Sequence, residues 1–213
     1  MRTNELIDIL AAETPAAPAG LPVRRIGTAV GFGALAALAM LMVWLGPRPD
    51  LHIAMRGVFF WVKLAYAASF TLSGAALVDR YGRPGGQGRW RWALVFAPVA
   101  VLALIALMSS LGQTPARVHA DWMGHSWNVC PWRILALAAP SFLAALWAFR
   151  RLAPTRLGLA GFAAGLLAGG VSAAVYCLAC DEHSALFVVT WYTAGVFACG
   201  AIGALLGPRL LRW

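Results

Sequence analysis

Residues 157–178 read LGLAGFAAGLLAGGVSAAVYCL, a run of 22 residues without a charged side chain. The hydrocarbon core of a bilayer is about 30 Å thick, and roughly 20 apolar residues in an α-helix cross it. A run of this length and composition therefore predicts a transmembrane helix rather than a strand or a short core helix of a soluble domain.

Five further apolar runs of similar length occur in the chain, and they are separated by short connections that contain proline, glycine or charged residues. Such residues favour the ends of membrane helices over the centre of the bilayer. We therefore predict an all-α, polytopic membrane protein with a six-helix domain over residues 26–213. The predicted spans lie near residues 26–46, 57–78, 91–111, 131–149, 157–178 and 184–207.

The composition of the whole chain agrees with this class. The 213 residues are 61% apolar and only 12% charged, and their mean hydropathy is +0.74, whereas soluble domains carry about 25% charged residues. The net charge of +9 could indicate a nucleic-acid-binding protein. However, the arginines lie in short clusters between the apolar runs, as in the loops of a membrane protein, so we expect the bilayer and not a nucleic acid as partner.

The distribution of basic residues predicts the orientation of the spans. With the N-terminus in the cytoplasm, twelve arginines fall on the cytoplasmic side and four on the opposite side, while Lys63 lies within the second span. The positive-inside rule favours this arrangement. We therefore expect both termini in the cytoplasm.

The 25 residues before the first span form a separate cytoplasmic unit, a short amphipathic helix followed by a Pro/Ala linker. Leu6, Ile7 and Leu10 form its apolar face, and Glu5 and Asp8 lie on other faces. An isolated helix of this length is marginal in water, so the apolar face needs a contact. Helices that bind membrane surfaces usually carry Lys and Arg. The acidic residues therefore favour a cytoplasmic protein partner, and a frayed tail without a partner is the alternative.

Cysteine and histidine side chains collect on the outer side in this topology. Cys130 and Cys180 lie near the outer ends of the fourth and fifth spans, with Cys177 one helical turn before Cys180 and with His125 and His183 as accessory candidates. Two cysteines in an oxidising compartment can form a disulfide, and Cys and His can also bind a soft metal ion. The spacing matches no zinc-site pattern, so we assign no metal and no cofactor and leave transient metal binding open.

Three residues within the predicted spans have a structural interpretation as well as a functional one. For Cys177 and Cys199, packing as small buried hydrophobes is the simpler interpretation. Lys63 lies about 9 Å along its helix from the outer end, at 1.5 Å per residue. It either serves a function or extends to the outer headgroups.

A small transporter or metal exporter with an outward Cys/His cluster is the alternative function. Such proteins line a path with polar residues at the midplane of the bilayer, and the predicted spans contain few of these. No enzymatic motif is present.

Several short motifs, taken in order, resemble those of the NrsF family, which are membrane-embedded bacterial anti-sigma factors. The resemblance covers almost the whole chain. Its markers are ELIDIL (5–10), GPRPD (46–50), FWVKL (60–64), CPWRI (130–134), RLAPTR (151–156), the stretch from 180 to 192, and GPRLLRW (207–213).

The resemblance implies a six-helix protein of the bacterial inner membrane that holds an extracytoplasmic-function (ECF) sigma factor inactive at the cytoplasmic face. It also implies that the N-terminal segment contributes to the sigma-factor contact. The paired cysteines of the family fall on Cys130 and Cys180, which implies a role for both in sensing metal or oxidative stress.

Overall fold

The computed structural model describes residues 21–82, 89–149 and 154–212. Within these residues all regular structure is helical. The helices are α1 (Leu21–Trp44), α2 (Leu51–Ala54), α3 (Val58–Tyr81), α4 (Ala93–Ser110), α5 (Pro115–Met123), α6 (Cys130–Phe149), α7 (Leu157–Tyr176), α8 (Ala185–Phe187) and α9 (Thr193–Leu210).

Six helical segments are long and apolar enough to cross a membrane, which confirms the predicted fold class. These segments are Arg24–Trp44, Val58–Tyr81, Trp90–Ser110, Cys130–Phe149, Leu157–Tyr176 and Ala185–Leu210. Their ends differ from the predicted ends by no more than three residues. The sixth segment joins α8 to α9 through a π-helical turn at Val188–Tyr192.

Two short helices in the connections were not predicted from hydropathy. The larger of them, α5, begins at the Thr114-Pro115 pair, where the Thr114 hydroxyl accepts a hydrogen bond from the Arg117 N–H. A threonine N-cap followed by proline at the first helical position is a typical helix start. The loop after α4 is therefore partly ordered as a helix.

Helix α7 forms the centre of the bundle and contacts α1, α3, α6 and α9. Most of its residues are small, and most are buried. By contrast, α4 is peripheral, since only Val95, Leu102 and Ala106 are buried in it. Small residues allow helix backbones to approach closely in lipid, where no hydrophobic effect between helices drives their association.

Glycines spaced four residues apart on α7 lie directly against α9. A Cβ atom added to Gly161 would overlap the carbonyl of Gly203, and one added to Gly165 would overlap the carbonyl of Cys199. In the sequence, small residues spaced four apart on the fifth span and on the sixth predict that these two spans touch, and the structure confirms this contact. These glycines are used for packing within the chain.

The bundle has two distinct ends. One end, which we call the thiol end, holds the connections 45–57, 111–129 and 177–184, as shown by hydrogen bonds from Arg48 to Leu178 and from His125 to Glu182. Six consecutive crossings bring the beginning of α1 and the end of α9 to the same side of the bundle, opposite to the thiol end. The predicted N-terminal helix and its linker up to residue 20 lie outside the described residues.

Replacing Gly165 by alanine should destabilise the bundle by about 1–3 kcal/mol, because the added methyl group enters a closed backbone contact. Thermal unfolding of the detergent-solubilised protein, followed by tryptophan fluorescence, should show a lower Tm. Gly31→Ala is the matched control, since a Cβ there meets nothing within 4 Å. An equal Tm for both variants would contradict the close α7–α9 contact.

Candidate functional site

Three of the four cysteines meet at the thiol end. Cys130 is the first residue of α6, Cys177 follows α7, and Cys180 lies three residues further on. Cys130 lies near both Cys177 and Cys180. Their exposed fractions are only 0%, 0% and 2% respectively, so the thiols lie beneath the surface rather than on it.

The cysteines are free thiols in this structure. Cys199 lies apart from the other three, in the middle of α9, where its side chain faces Gly169 of α7. The structure thus brings Cys177 together with the predicted pair and leaves Cys199 as a packing residue.

Lys63 does not reach the surface. Its side chain is 2% exposed, and its Nζ donates hydrogen bonds to the main-chain carbonyls of Cys180 (2.9 Å) and Glu182 (3.1 Å). The Nζ also lies 5.8 Å from the centre of the Tyr192 ring. The interpretation that Lys63 extends to the headgroups is therefore wrong, because the connection between α7 and α8 covers it.

Arg48 is a second buried cation at this end, and its role was not predicted from the sequence. It donates Nε to Oδ1 of Asp50 and Nη2 to Oδ2, both at 2.7 Å, and Nη1 to the Cys180 carbonyl at 3.2 Å. The hydrogen bond from Arg48 holds the pKa of Asp50 below its usual value. The only signal in the sequence was an arginine between two prolines in GPRPD.

Glu182 holds the long loop between α4 and α6 against the bundle, and this role too was not predicted from the sequence. Its Oε1 accepts hydrogen bonds from the N–H of His125 (2.7 Å), the N–H of Ser126 (2.9 Å) and the Ser126 hydroxyl (3.0 Å). Gly124 makes this approach feasible, with φ of +56° and with a Cβ position that would overlap the Glu182 carboxylate. Charge-assisted bonds of this kind are the stronger ones in proteins.

The two accessory histidines occupy different places. His125 contributes its main-chain N–H to the Glu182 contact, and the ring of His183, which is exposed, lies 6.4 Å from that of Phe59. In the parts of the chain that are described, no group of three or more His, Cys, Asp or Glu side chains is placed to hold a metal ion.

The comparison with protein families bears on the whole chain. The family model NrsF, described as "Negative regulator of sigma F", matches residues 10–213. The chain belongs to the NrsF family.

Two curated relatives extend over the full length of the chain. The "Anti-sigma-F factor NrsF" of Caulobacter vibrioides (strain NA1000 / CB15N) is 44% identical, and the alignment covers 100% of both chains. The "Probable anti-sigma-F factor NrsF" of Azospira oryzae (strain ATCC BAA-33 / DSM 13638 / PS) is 39% identical, again over 100% of both. No solved structure matches the chain.

These findings confirm the resemblance to the NrsF family that the motifs indicate. The family description is that of a regulator and names no catalytic activity. The predicted partner-binding residues Glu5, Leu6, Ile7, Asp8 and Leu10 lie outside the described residues, so their role stays a prediction.

Replacing Glu182 by alanine should release the loop at His125 and Ser126, because two main-chain N–H groups lose their acceptor. Hydrogen exchange of these two amides should become faster by about tenfold or more, as local opening becomes easier. Asp181→Ala is the matched control, because Asp181 is exposed and is the neighbouring carboxylate. Equal exchange in both variants would contradict the fastening role of Glu182.

Proposed function

We propose that this protein is a membrane-embedded anti-sigma factor of the bacterial inner membrane. It sequesters a sigma factor of the ECF type at its cytoplasmic face and releases it on an envelope, metal or oxidative stress. The observation that carries this proposal is the match to the NrsF family over residues 10–213.

The surface of the helices supports insertion in a membrane. Large apolar side chains on the spans are exposed, for example Phe32 (74%), Val43 (90%) and Leu72 (71%). An apolar surface of this kind is stable against lipid and would associate in water. The excess of arginine on one side of the predicted topology supports the cytoplasmic position of both termini.

The two ends of the bundle would then have different roles. The thiol end faces away from the cytoplasm and carries Cys130 and Cys180, which we propose as the sensing residues, with Cys177 beside them. The opposite end leads through the linker to the N-terminal helix, which we propose as the sigma-factor contact. Leu6, Ile7 and Leu10 would enter an apolar groove of the partner, in the helix-in-groove mode.

The transporter alternative has little support among the described residues. Lys63, the charged residue within the second span, donates hydrogen bonds to two main-chain carbonyls and lies over a tyrosine ring. It is therefore held as part of a closed contact and is not free to serve a transport path.

Replacing both Leu6 and Leu10 by aspartate should abolish co-purification of the sigma factor from a detergent extract, because charged residues cannot enter an apolar groove. The full chain and a chain lacking residues 2–20 serve as positive and negative references. Thr14→Asp with Ala17→Asp is the matched control, since it adds the same charge in the linker. Retention of the sigma factor by the leucine variant would contradict the proposed contact.

Replacing Cys130 or Cys180 by serine should change the release of the sigma factor by a thiol-reactive stress, measured as expression of a sigma-dependent reporter. Cys199→Ser is the matched control, because Cys199 lies away from the cluster. A Cys130→Ser, Cys180→Ser double variant with the response of the unmodified chain would remove these cysteines from the mechanism.

A further inference from the structure

We propose that Arg48 and Lys63 are positioning residues that clamp the main chain at Cys180. The clamp closes the connection between α7 and α8 over the buried thiols and ties this connection to the end of α1. Its consequence for sigma-factor release rests on the proposed function, whereas the clamp itself does not.

The Cys180 carbonyl is a shared acceptor. It receives one hydrogen bond from Arg48 Nη1 at 3.2 Å and one from Lys63 Nζ at 2.9 Å. The two donors come from different parts of the chain, 132 and 117 residues away from Cys180. Because both donors are cations, each bond is stronger than one between neutral groups.

Arg48 is held rigidly on the α1 side of the clamp. Its guanidinium group donates hydrogen bonds to both carboxylate oxygens of Asp50. Its main-chain N–H donates a hydrogen bond to the Leu178 carbonyl at 3.0 Å. The chain after α1 is therefore joined to the connection after α7 at two points, Leu178 and Cys180. A movement of the Cys180 main chain must either carry residue 48 with it or break these bonds.

Lys63 is held on the α3 side of the clamp and depends on the same main chain. No described carboxylate lies within ion-pair distance of Lys63, so the carbonyls of Cys180 and Glu182 are its hydrogen-bond partners. A buried ammonium is costly without partners. The closed position of the connection is therefore strongly favoured, and its opening must also bring solvent to Lys63.

An apolar cleft beside α1 gives this helix space to move. A cleft of about 510 Å³ lies between α1 and α3 over α7, and its lining is almost wholly apolar. Leu35 and Leu38 of α1 line one side of it, and Leu64 and Leu72 of α3 line the other. Since α1 packs on α6 and α7 and has little direct contact with α3 along this cleft, we expect release of the clamp to loosen the end of α1 on its α3 side. The opposite end of α1 leads to the proposed sigma-factor contact.

The clamp is tested by the alkylation rate of Cys180 in the full chain, using a maleimide reagent and mass spectrometry of the labelled peptides. Arg48→Gln and Lys63→Met should each raise the rate by about tenfold or more, because each removes a charged donor that holds the connection closed. Arg56→Gln is the matched control, since Arg56 lies in the same connection as Arg48 but is exposed. Arg48→Lys keeps the charge without the fork and should give an intermediate rate.

Cys199 distinguishes local opening from unfolding. It is buried in α9, away from the thiol end, so general loss of structure would expose it together with Cys180. Faster labelling of Cys180 with unchanged labelling of Cys199 supports the clamp. If the Lys63→Met variant is labelled faster at both Cys180 and Cys199, the Asp50→Asn variant replaces it in the test. Asp50 is suitable because it lies at the surface and orients Arg48. Labelling of Cys180 at the unmodified rate in the Arg48 and Asp50 variants would overturn the clamp.

Co-purification of the sigma factor with the same variants tests the link to function. Lower retention together with faster Cys180 labelling supports coupling between the clamp and the sigma-factor contact. Full retention with faster labelling would overturn that coupling. If the unmodified chain itself retains no sigma factor, the proposed function fails, and the labelling rates by themselves still support or overturn the clamp.

Discussion

The buried carbonyl of Cys180 is the group on which the thiol end depends. The connection after α7 leaves the helical hydrogen-bond pattern while still beneath the surface, so its carbonyls need donors from elsewhere. Arg48 and Lys63 supply these donors. Lys63 needs the carbonyl as much as the carbonyl needs Lys63, because an isolated charge is not stable at this depth, whereas Arg48 is also paired with Asp50. The main chain at Cys180 is therefore held between the end of α1 and α3.

The rest of the bundle is organised around α7, which is almost completely buried and contacts four other helices. Its small side chains permit direct backbone contact with α9 at Gly161 and Gly165, and with α3 at Gly170. Such contacts fix the α3, α7 and α9 group closely, whereas α1 keeps an apolar cleft between itself and α3. The bundle thus combines a rigid centre with one span that is tied to it mainly through α6, α7 and the thiol end. That asymmetry suits the proposed function, in which a change at the thiol end alters the contact at the opposite end.

The fold could be predicted closely from the sequence, because the length of an apolar run measures directly whether a helix can cross a bilayer. The glycine spacing on the fifth and sixth spans also predicted a contact that the structure contains. The candidate site could be predicted only in part. Cys130 and Cys180 were selected by their residue type and position, whereas Arg48 and Glu182 were not, since charged residues in a connection are normally exposed.

By itself, then, the sequence determined the six spans, the placement of the cysteines at one end and the family of the protein. Only the tertiary structure decided which groups meet there. The partners of Arg48 and Lys63 are main-chain carbonyls, which every residue possesses, and the acceptor lies more than a hundred residues away along the chain. No residue type or spacing can indicate such a partner. The contact exists only because α1, α3 and α7 pack together. This packing places the Cys180 carbonyl, which lies beyond the end of α7, next to the buried side chains of Arg48 and Lys63.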